Sequence, residues 1–346
     1  MISEYLAGNS VMPFFICGDA IELLKRFPAE SIDMAITSPP YWGKRAHGRS
    51  AIEREEDFVR YTDTLMSAFS EVLRVLKPTG SFWLNIGDSY SSKRLMGVPW
   101  RIALKMCDEQ DWLLRNSVVW NKLRGNPDNS KDKLRGTHEM LFHFVKQKKY
   151  YYDISMARKD PLKARSQDGS VISASGVNGS RYKKQIEMSP CLTKDQKRRA
   201  RSELDVMLKK IENGELADFR MIIKGQQKAT HSGSVKLSGR ARELESKGYY
   251  FLKYHPDGAK LGDVWDITAE ASRGERLGFA PFPEELCRTP ILATCPPDGI
   301  VLDPFCGTGT AMSVAFEHGR KSIGIDISQD CIDSSRKRII RLSTNA

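Results

Sequence analysis

The stretch GIVLDPFCGTGTAMSVAFEHG, residues 299–319, decides the fold class. The apolar run IVL leads into a turn that contains Gly307 and Gly309, and a second apolar segment follows the turn. Glycines at such a turn let the backbone approach a ligand closely, and the N-terminus of the following helix favours groups that are negative or accept hydrogen bonds. The pattern predicts a strand, a glycine-rich turn and a helix, the unit from which α/β sheets are built.

This turn fits neither of two common nucleotide motifs. A dinucleotide-binding turn needs a third glycine, where this chain has Met312, and a P-loop needs a GK[ST] sequence, which is absent. Asp326 follows at the end of the next apolar segment, where a carboxylate can accept hydrogen bonds from ribose hydroxyls. We therefore expect a nucleoside-containing cofactor without a pyrophosphate, of which S-adenosylmethionine is the obvious one. A glycine turn that only tightens the chain is the alternative.

Short apolar segments alternate with amphipathic ones in the first part of the chain. Strands are predicted at 14–17, 31–37, 81–86, 113–120 and 139–145. Helices are predicted at 19–27, 56–76 and 98–110. The alternation resumes toward the C-terminus, which predicts one α/β sheet, mostly parallel, with helices on both faces.

The middle of the chain is basic. Residues 151–260 hold 23 lysines and arginines against 13 acidic residues, whereas the rest of the chain is nearly balanced. We expect an irregular loop at 166–192, a basic helix capped by Thr193 at 193–214, and a segment without periodicity at 224–242. Such an insertion is typical of a polyanion-binding module, and a basic surface without a partner is the alternative.

A second short stretch, TSPPYW at residues 37–42, interrupts the end of a predicted core strand. Together with DPFCGTGT at 303–310 it resembles the amino-methylating DNA methyltransferases of the β arrangement, which methylate exocyclic base nitrogens from S-adenosylmethionine. In that family an (S/N/D)PP(Y/F) motif comes first, a target-recognition region follows, and a DPFxGxG motif comes last. The resemblance implies a Rossmann-like methyltransferase sheet with a catalytic half at 1–150, a target-recognition insertion at 151–261 and a cofactor half at 262–346.

The resemblance also implies a chemistry for TSPPYW. The target base must leave the duplex, at a cost of roughly a few kcal/mol. Pro39 and Pro40 form a stiff turn without N–H donors, and the Ser38 side chain and the Pro39 carbonyl would accept hydrogen bonds from the target NH2 group. Tyr41 would stack on the flipped base, a contact worth about 1–3 kcal/mol. Trp42 is expected to pack.

Family roles carried onto this sequence define the other candidate residues. The cofactor candidates are Asp303, Phe305, Gly307, Thr308, Gly309 and Thr310 in the turn, Asp326 at the ribose, Asp19 near the adenine, and Phe282 and Pro283 at the methionine end. For Asp19, capping of the helix that starts at Ala20 is the alternative. The DNA-binding candidates are Lys197, Arg198, Arg199, Arg201, His231, Lys236 and Arg240. A solvated helix face is the alternative for those at 197–201.

The serine of the SPPY motif is typical of the cytosine-N4 members, whereas adenine-N6 members more often have aspartate or asparagine there. We therefore predict a DNA methyltransferase specific for cytosine N4 in duplex DNA, in a restriction–modification system with a possible cognate endonuclease. Adenine-N6 methylation and a non-catalytic nucleic-acid-binding protein are the alternatives. The seven cysteines are scattered and the histidines isolated, so no metal site is expected. No membrane span or signal peptide is predicted, and the scattered cysteines indicate a reducing cytoplasm. The resemblance to restriction–modification enzymes implies that this is the cytoplasm of a bacterium or archaeon.

Overall fold

The structure is a computed structural model. It describes residues 2–43, 57–124, 129–158, 165–167, 170–172, 179–225, 239–269 and 283–345. Three predicted site residues, His231, Lys236 and Phe282, lie outside these ranges. The chain divides into two compact units, the first formed by Met1–Ala157 with Gly262–Ala346 and the second by Arg158–Leu261.

The strands and helices are numbered in the order in which they occur along the chain. The strands are β1 (Phe14–Cys17), β2 (Ile32–Thr37), β3 (Leu76–Ile86), β4 (Tyr90–Ser91), β5 (Arg94–Leu95), β6 (Leu113–Asn121), β7 (His138–Val145), β8 (Arg165–Gln167), β9 (Ser170–Ile172), β10 (Asp218–Ile223), β11 (Tyr249–Tyr254), β12 (Val264–Asp266), β13 (Ile300–Asp303) and β14 (Lys321–Asp326). The helices are α1 (Ile2–Ala7), α2 (Ala20–Leu24), α3 (Phe58–Val75), α4 (Val98–Gln110), α5 (Gly179–Met188), α6 (Lys194–Glu212), α7 (Gly239–Lys247), α8 (Glu284–Thr294), α9 (Thr310–Glu317) and α10 (Gln329–Asn345).

The first unit is built on a sheet with the strand order β1-β14-β13-β2-β3-β7-β6-β12. All neighbouring pairs are parallel except the two that involve β7, which runs antiparallel to β3 and to β6. The sheet therefore combines strands from both ends of the sequence, and the predicted, mostly parallel α/β class is confirmed.

Helices cover both faces of this sheet. Along β2, Ala35 belongs to one cluster of buried apolar residues, whereas Met34 and Ile36 belong to another. Successive side chains of a strand point to opposite faces, so the two clusters lie on opposite sides of the sheet. The first contains side chains from α2, α3 and α4, and the second contains side chains from α8, α9 and α10.

The buried carboxylate of an ion pair joins three strands of the sheet. The Asp33 carboxylate on β2 accepts hydrogen bonds from the Lys77 ammonium, 2.9 Å away on β3, and from the Ile300 N–H, 2.9 Å away on β13. Asp33 is buried, so both bonds compensate for the loss of water around its charge. The pair lies at the amino ends of β2 and β13, away from the TSPPYW and DPFCGTGT turns at their carboxyl ends.

Two element boundaries differ from the predicted ones by more than two residues. The predicted helix at 19–27 is regular only over Ala20–Leu24, because the next N–H groups, of Arg26 and Phe27, bond to carbonyls three residues back. Strand β3 begins at Leu76 instead of Ser81, since Leu76 already pairs with Ile32 of β2 ahead of a register shift.

The second unit has an apolar core of its own. Strands β10 and β11 pair antiparallel, and buried side chains from them meet buried side chains of α5 and α6. The predicted helix at 193–214 is confirmed as α6, with Thr193 and Gln196 forming a capping box. The predicted irregular loop at 166–192 is wrong, because Tyr182 and Ile186 give α5 a buried face that packs on this core.

None of the described helices is long and apolar enough to cross a membrane.

The packing of α3 generates a stability prediction. Leu65 of α3 is fully buried, so Leu65→Ala should lower the free energy of unfolding by about 2–5 kcal/mol through lost contacts and a cavity. The same substitution at Leu104 of α4, which is 54% exposed, should change it by no more than about 0.5 kcal/mol. Urea unfolding followed by tryptophan fluorescence checks this, because all six tryptophans lie in the first unit. Equal losses for the two variants would contradict the packing described.

Candidate active site

The two sequence motifs meet where the order of the strands reverses. Strands β13 and β2 are parallel neighbours, with β14 and β1 beyond one and β3 beyond the other. TSPPYW continues from the carboxyl end of β2, and DPFCGTGT begins at the last residue of β13. In open α/β sheets ligands bind at this kind of switch point, outside the carboxyl ends of the strands.

A direct side-chain contact joins the motifs. The Thr37 hydroxyl donates to Asp303 Oδ1 at 2.6 Å, and the Phe305 N–H donates to the same oxygen at 3.0 Å. Asp303 is 1% exposed, and its other oxygen, Oδ2, has no hydrogen-bond partner among the described residues. Burial raises the pKa of Asp303 to about 7, and the nearby charge of Asp326 adds to the rise, whereas the two hydrogen bonds oppose it.

The glycine-rich turn needs its second glycine for two reasons. Gly309 has φ of 74°, in the left-handed region, and a Cβ there would lie 2.9 Å from Ser335 Cβ. The Ser335 hydroxyl in turn shares its hydrogen between the Gly307 carbonyl at 2.9 Å and the Cys331 carbonyl at 2.8 Å. Helix α10 therefore packs directly against the turn and holds its backbone in place.

Asp326 is held by the turn that it faces. Its carboxylate accepts hydrogen bonds from the N–H of Gly307 at 2.9 Å and of Ser328 at 2.8 Å. Asp19 follows β1, the neighbouring strand, in which Cys17 is paired with Asp326. The exposed Asp19 carboxylate accepts from the N–H groups that open α2, so the structure bears out its role as a helix cap. Contact of Asp19 with an adenine stays a prediction.

Two further candidates of the turn, Thr308 and Thr310, differ in whether their hydroxyls have a hydrogen-bond partner. Thr308 Oγ1 is buried without a hydrogen-bond partner among the described residues. Thr310 Oγ1 accepts from Arg338 at 3.0 Å, and Arg338 also pairs with Glu284 of α8 at 2.7 Å. Pro283 is buried immediately before α8. Thr310 therefore links α9, α10 and α8, whereas Thr308 and Asp303 each present an unpaired buried oxygen.

These oxygens fit a polar, positively charged ligand of the kind predicted. A buried carboxylate with one unpaired oxygen is costly unless a donor or a cation reaches it. No group of three or more His, Cys, Asp or Glu side chains in the described part of the chain is arranged to hold a metal ion. The unpaired oxygens of Asp303 and Thr308 can accept hydrogen bonds or face a positive charge.

The turn of TSPPYW is anchored at its end. The Tyr61 hydroxyl donates to the Pro40 carbonyl at 2.9 Å, and the Ser89 hydroxyl donates to the Trp42 carbonyl at 2.7 Å. The Trp42 ring packs edge-on against Phe58, with the ring centroids 5.3 Å apart. These contacts hold the segment after Pro39 against α3, while Pro39 itself is buried.

A polar cluster surrounds the tyrosine of the motif. The Ser38 hydroxyl donates to the Tyr41 hydroxyl oxygen at 3.1 Å. That hydroxyl lies 2.8 Å from Glu139 Oε2 and 3.2 Å from Asn85 Oδ1. Glu139 is 8% exposed and pairs with the ammonium of Lys122. Burial, and then the charge of Glu139, raise the pKa of Tyr41 well above its ordinary value.

Sequence reasoning did not find the residues around Tyr41. Glu139 is the second residue of the strand HEMLFHFV, and a charged side chain in so apolar a strand was the available signal. Gly87 has no such signal, yet a Cβ there would lie 2.8 Å from Tyr41 Cε2. The glycine therefore makes room for the tyrosine ring.

The described DNA-binding candidates lie in the second unit. On α6, Arg198, Arg199 and Arg201 are exposed and Lys197 is half-buried. Arg198 pairs with Asp195 at 3.0 Å, Arg201 pairs with Glu187, and Lys197 donates to a backbone carbonyl. Arg240, near the start of α7, is also exposed. Exposed ion pairs are worth only about 0–1 kcal/mol, so phosphates can replace these partners.

The relatives that this chain matches over almost its full length include two type II methyltransferases. The chain is 27% identical to the type II methyltransferase M.Cfr9I of Citrobacter freundii over 358 aligned residues, which cover 95% of this chain and 88% of the relative. It is 27% identical to the type II methyltransferase M.SmaI of Serratia marcescens, with 98% of this chain and 94% of the relative covered.

Among solved structures, the fold is similar to that of the PvuII DNA methyltransferase (cytosine-N4-specific). The TM-score is 0.53 and the identity 20%, with 94% of this chain and 85% of that chain covered. The sequence model of a family described as DNA methylase, of the N6 and N4 methyltransferases, matches residues 32–337. Because that match spans most of the 346 residues, including both motifs and the middle segment, the chain belongs to the DNA methylase family.

Proposed function

We propose that this chain transfers a methyl group to the exocyclic N4 amine of a flipped-out cytosine within a specific sequence of duplex DNA. The observation that carries the proposal is the contact between Thr37 and Asp303, because it joins the amine-binding SPPY turn to the glycine-rich turn. A methyl donor at one turn and a target amine at the other would then lie side by side, which is the main demand of an in-line transfer.

S-adenosylmethionine is the cofactor, and when bound it supplies a methyl group already activated on a sulfonium. Asp303 and Thr308 offer it their unpaired buried oxygens, and Gly307 and Gly309 allow close approach of the backbone. Asp326, fixed by the turn, suits the ribose hydroxyls. Phe305 and Thr310 support the turn, with Asp19 proposed near the adenine and Phe282 and Pro283 at the methionine end.

The SPPY turn is proposed to bind the target. The Ser38 hydroxyl and the Pro39 carbonyl accept hydrogen bonds from the NH2 group, which favours a nitrogen lone pair directed at the methyl carbon and stabilises the developing positive charge. Pro40 keeps the turn stiff, supported by the Tyr61 hydroxyl on its carbonyl. Tyr41 provides a ring on which the flipped base stacks.

The choice of cytosine rests on Ser38, since serine at this position is typical of the cytosine-N4 members of the family. The PvuII enzyme, named as cytosine-N4-specific, has this fold, which is compatible with the assignment. Adenine-N6 methylation would use the same residues and is the second candidate. The type II relatives support a role in restriction and modification, with a cognate endonuclease as a proposed partner and the prokaryotic cytoplasm as the proposed location.

The product of the reaction tests the function directly. The protein is incubated with mixed-sequence duplex DNA and S-adenosylmethionine labelled in the methyl group, and the DNA is digested to nucleosides. We expect label in N4-methyldeoxycytidine. Label only in N6-methyldeoxyadenosine would reject the choice of base, and a complete absence of label would reject the enzymatic function. Ser38→Ala is the control: it should bind the cofactor and lose about 10²–10³-fold in turnover, as when one transition-state hydrogen bond is removed.

The pKa of Asp303 predicts how cofactor affinity depends on pH. Below pH 7 the buried carboxyl holds a proton, because its pKa is raised to about 7. A cationic ligand favours the carboxylate, so binding below pH 7 must release that proton. Between pH 5.5 and 6.5 the affinity for S-adenosylmethionine should therefore rise up to about tenfold, and it should level off above pH 7. Isothermal titration calorimetry measures the affinity.

Two variants check the assignment to Asp303. Asp303→Asn should bind the cofactor more weakly and without pH dependence in this range. Asp333→Asn, which changes an exposed carboxylate on α10, should keep the wild-type dependence. A wild-type affinity that stays constant between pH 5.5 and 7 would show that Asp303 does not meet the positive charge.

The exposed arginines of α6 predict a salt effect on DNA binding. Each phosphate contact contributes about 0.9 to the slope of log affinity against log salt concentration. Replacement of Arg198 and Arg199 by glutamine should therefore reduce the slope by about 1–2 units. Lys209→Gln, at the other end of the same helix, should leave it unchanged. Fluorescence anisotropy with a labelled duplex at several salt concentrations measures the slope, and an unaltered slope in the double variant would contradict the phosphate contacts.

A further inference from the structure

We infer that Glu139 is a positioning residue for the methyl transfer, because through the Tyr41 hydroxyl it holds the Ser38 oxygen as a hydrogen-bond acceptor. The inference rests on the proposed function of the SPPY turn and applies to either target base. It is argued from the hydrogen bonds among Ser38, Tyr41, Asn85 and Glu139.

The first step concerns the single hydrogen of the Tyr41 hydroxyl. The Glu139 carboxylate, 2.8 Å away, can only accept a hydrogen bond when ionised. The Asn85 oxygen, 3.2 Å away, is also an acceptor, and the orientation of this amide is fixed because its nitrogen donates to the Met140 carbonyl at 3.2 Å. Both groups therefore draw the Tyr41 hydrogen toward themselves and away from Ser38.

The second step concerns Ser38. Since the Tyr41 hydrogen points to Glu139 or Asn85, the contact of 3.1 Å between the two hydroxyls is made by the Ser38 hydrogen. A hydroxyl has one hydrogen and two acceptor lone pairs. With its hydrogen engaged, the Ser38 oxygen presents lone pairs alone to the target NH2 group, which is what acceptance of that hydrogen bond requires.

The third step concerns the carboxylate of Glu139, which sets the direction of the Tyr41 hydrogen. Glu139 is buried and its second oxygen pairs with Lys122, whose ammonium also lies 4.8 Å from the centre of the Trp120 ring. Lys122 donates to Oε1 of this carboxylate, which leaves Oε2 to accept from the Tyr41 hydroxyl. The raised pKa of Tyr41 also means that the phenol retains its hydrogen.

The decisive variant is Glu139→Gln, which keeps the shape and removes the charge. A glutamine N–H can donate to the Tyr41 oxygen, so the tyrosine hydrogen loses its nearest acceptor, at 2.8 Å. Asn85 at 3.2 Å and Ser38 at 3.1 Å then compete for that hydrogen, and where it turns to Ser38 it occupies a lone pair there. In single-turnover assays with saturating DNA and S-adenosylmethionine, we expect the rate to fall about 10–100-fold, as when a partner that orients a functional side chain is removed. Cofactor affinity should stay close to that of the wild type.

Tyr41→Phe separates positioning from a general structural role. It removes the link and keeps the ring for stacking, so it should lower the rate to a similar extent. In the Tyr41→Phe background, Glu139→Gln should have almost no further effect, because both changes interrupt the same path. If Glu139 only stabilised the fold, its replacement would cost as much in that background as in the wild type.

Asp33→Asn is the matched control, since it also neutralises a buried carboxylate paired with a lysine. Asp33 lies at the amino end of β2, away from the SPPY turn at the carboxyl end of that strand. It should keep the wild-type rate at a temperature where the variant is folded. A wild-type rate for Glu139→Gln or for Tyr41→Phe would overturn the inference, and the second variant decides the matter if the first does not fold. A wild-type protein that labels no nucleoside would overturn the proposed function and this inference together.

Discussion

The hydrogen bond between the Thr37 hydroxyl and the Asp303 carboxylate is the contact on which the arrangement of the site depends. It joins residues 266 positions apart, at the carboxyl ends of two neighbouring parallel strands. Ser38 follows Thr37 directly, and the backbone of the glycine-rich turn begins with the Phe305 N–H bonded to the same carboxylate oxygen. The contact therefore fixes the distance between the proposed amine site and the proposed cofactor site, whichever end of the chain each comes from.

The burial of Asp303 at this contact is unfavourable for stability alone. Asp303 is almost completely buried, one of its oxygens has no partner among the described residues, and its pKa is raised to about 7 because burial penalises the charge. An apolar side chain would fill the position without that cost. Natural sequences violate the rules of stable packing mainly where a ligand must be bound. Thr308, with its unpaired buried hydroxyl, follows the same logic.

The α/β sheet and the two motifs could be predicted from the sequence, because strand and helix periodicities are local and each motif is contiguous. Features that depend on contacts between residues far apart in the sequence could not be predicted. The buried face of α5 at Tyr182 and Ile186 is short and lies in a segment rich in polar residues. It can therefore be recognised only from its packing against the core of the second unit. The groups around Tyr41 come from β3, from β7 and from the residue that follows β2, which are far apart in the sequence. Gly87 carries no signal apart from the side chain that it accommodates.

The antiparallel direction of β7 explains how Glu139 reaches the site. In a parallel sheet only the segments that follow the strands lie at the carboxyl edge, and such segments are mobile unless other groups hold them. Because β7 runs against β3 and β6, its first residues lie at this edge while they are still part of the strand. Glu139 is accordingly paired with Trp120 of β6, within the hydrogen-bonded ladder. A carboxylate that must fix the direction of a hydroxyl needs a rigid backbone, and the reversed strand provides one beside the turn that the parallel strands carry.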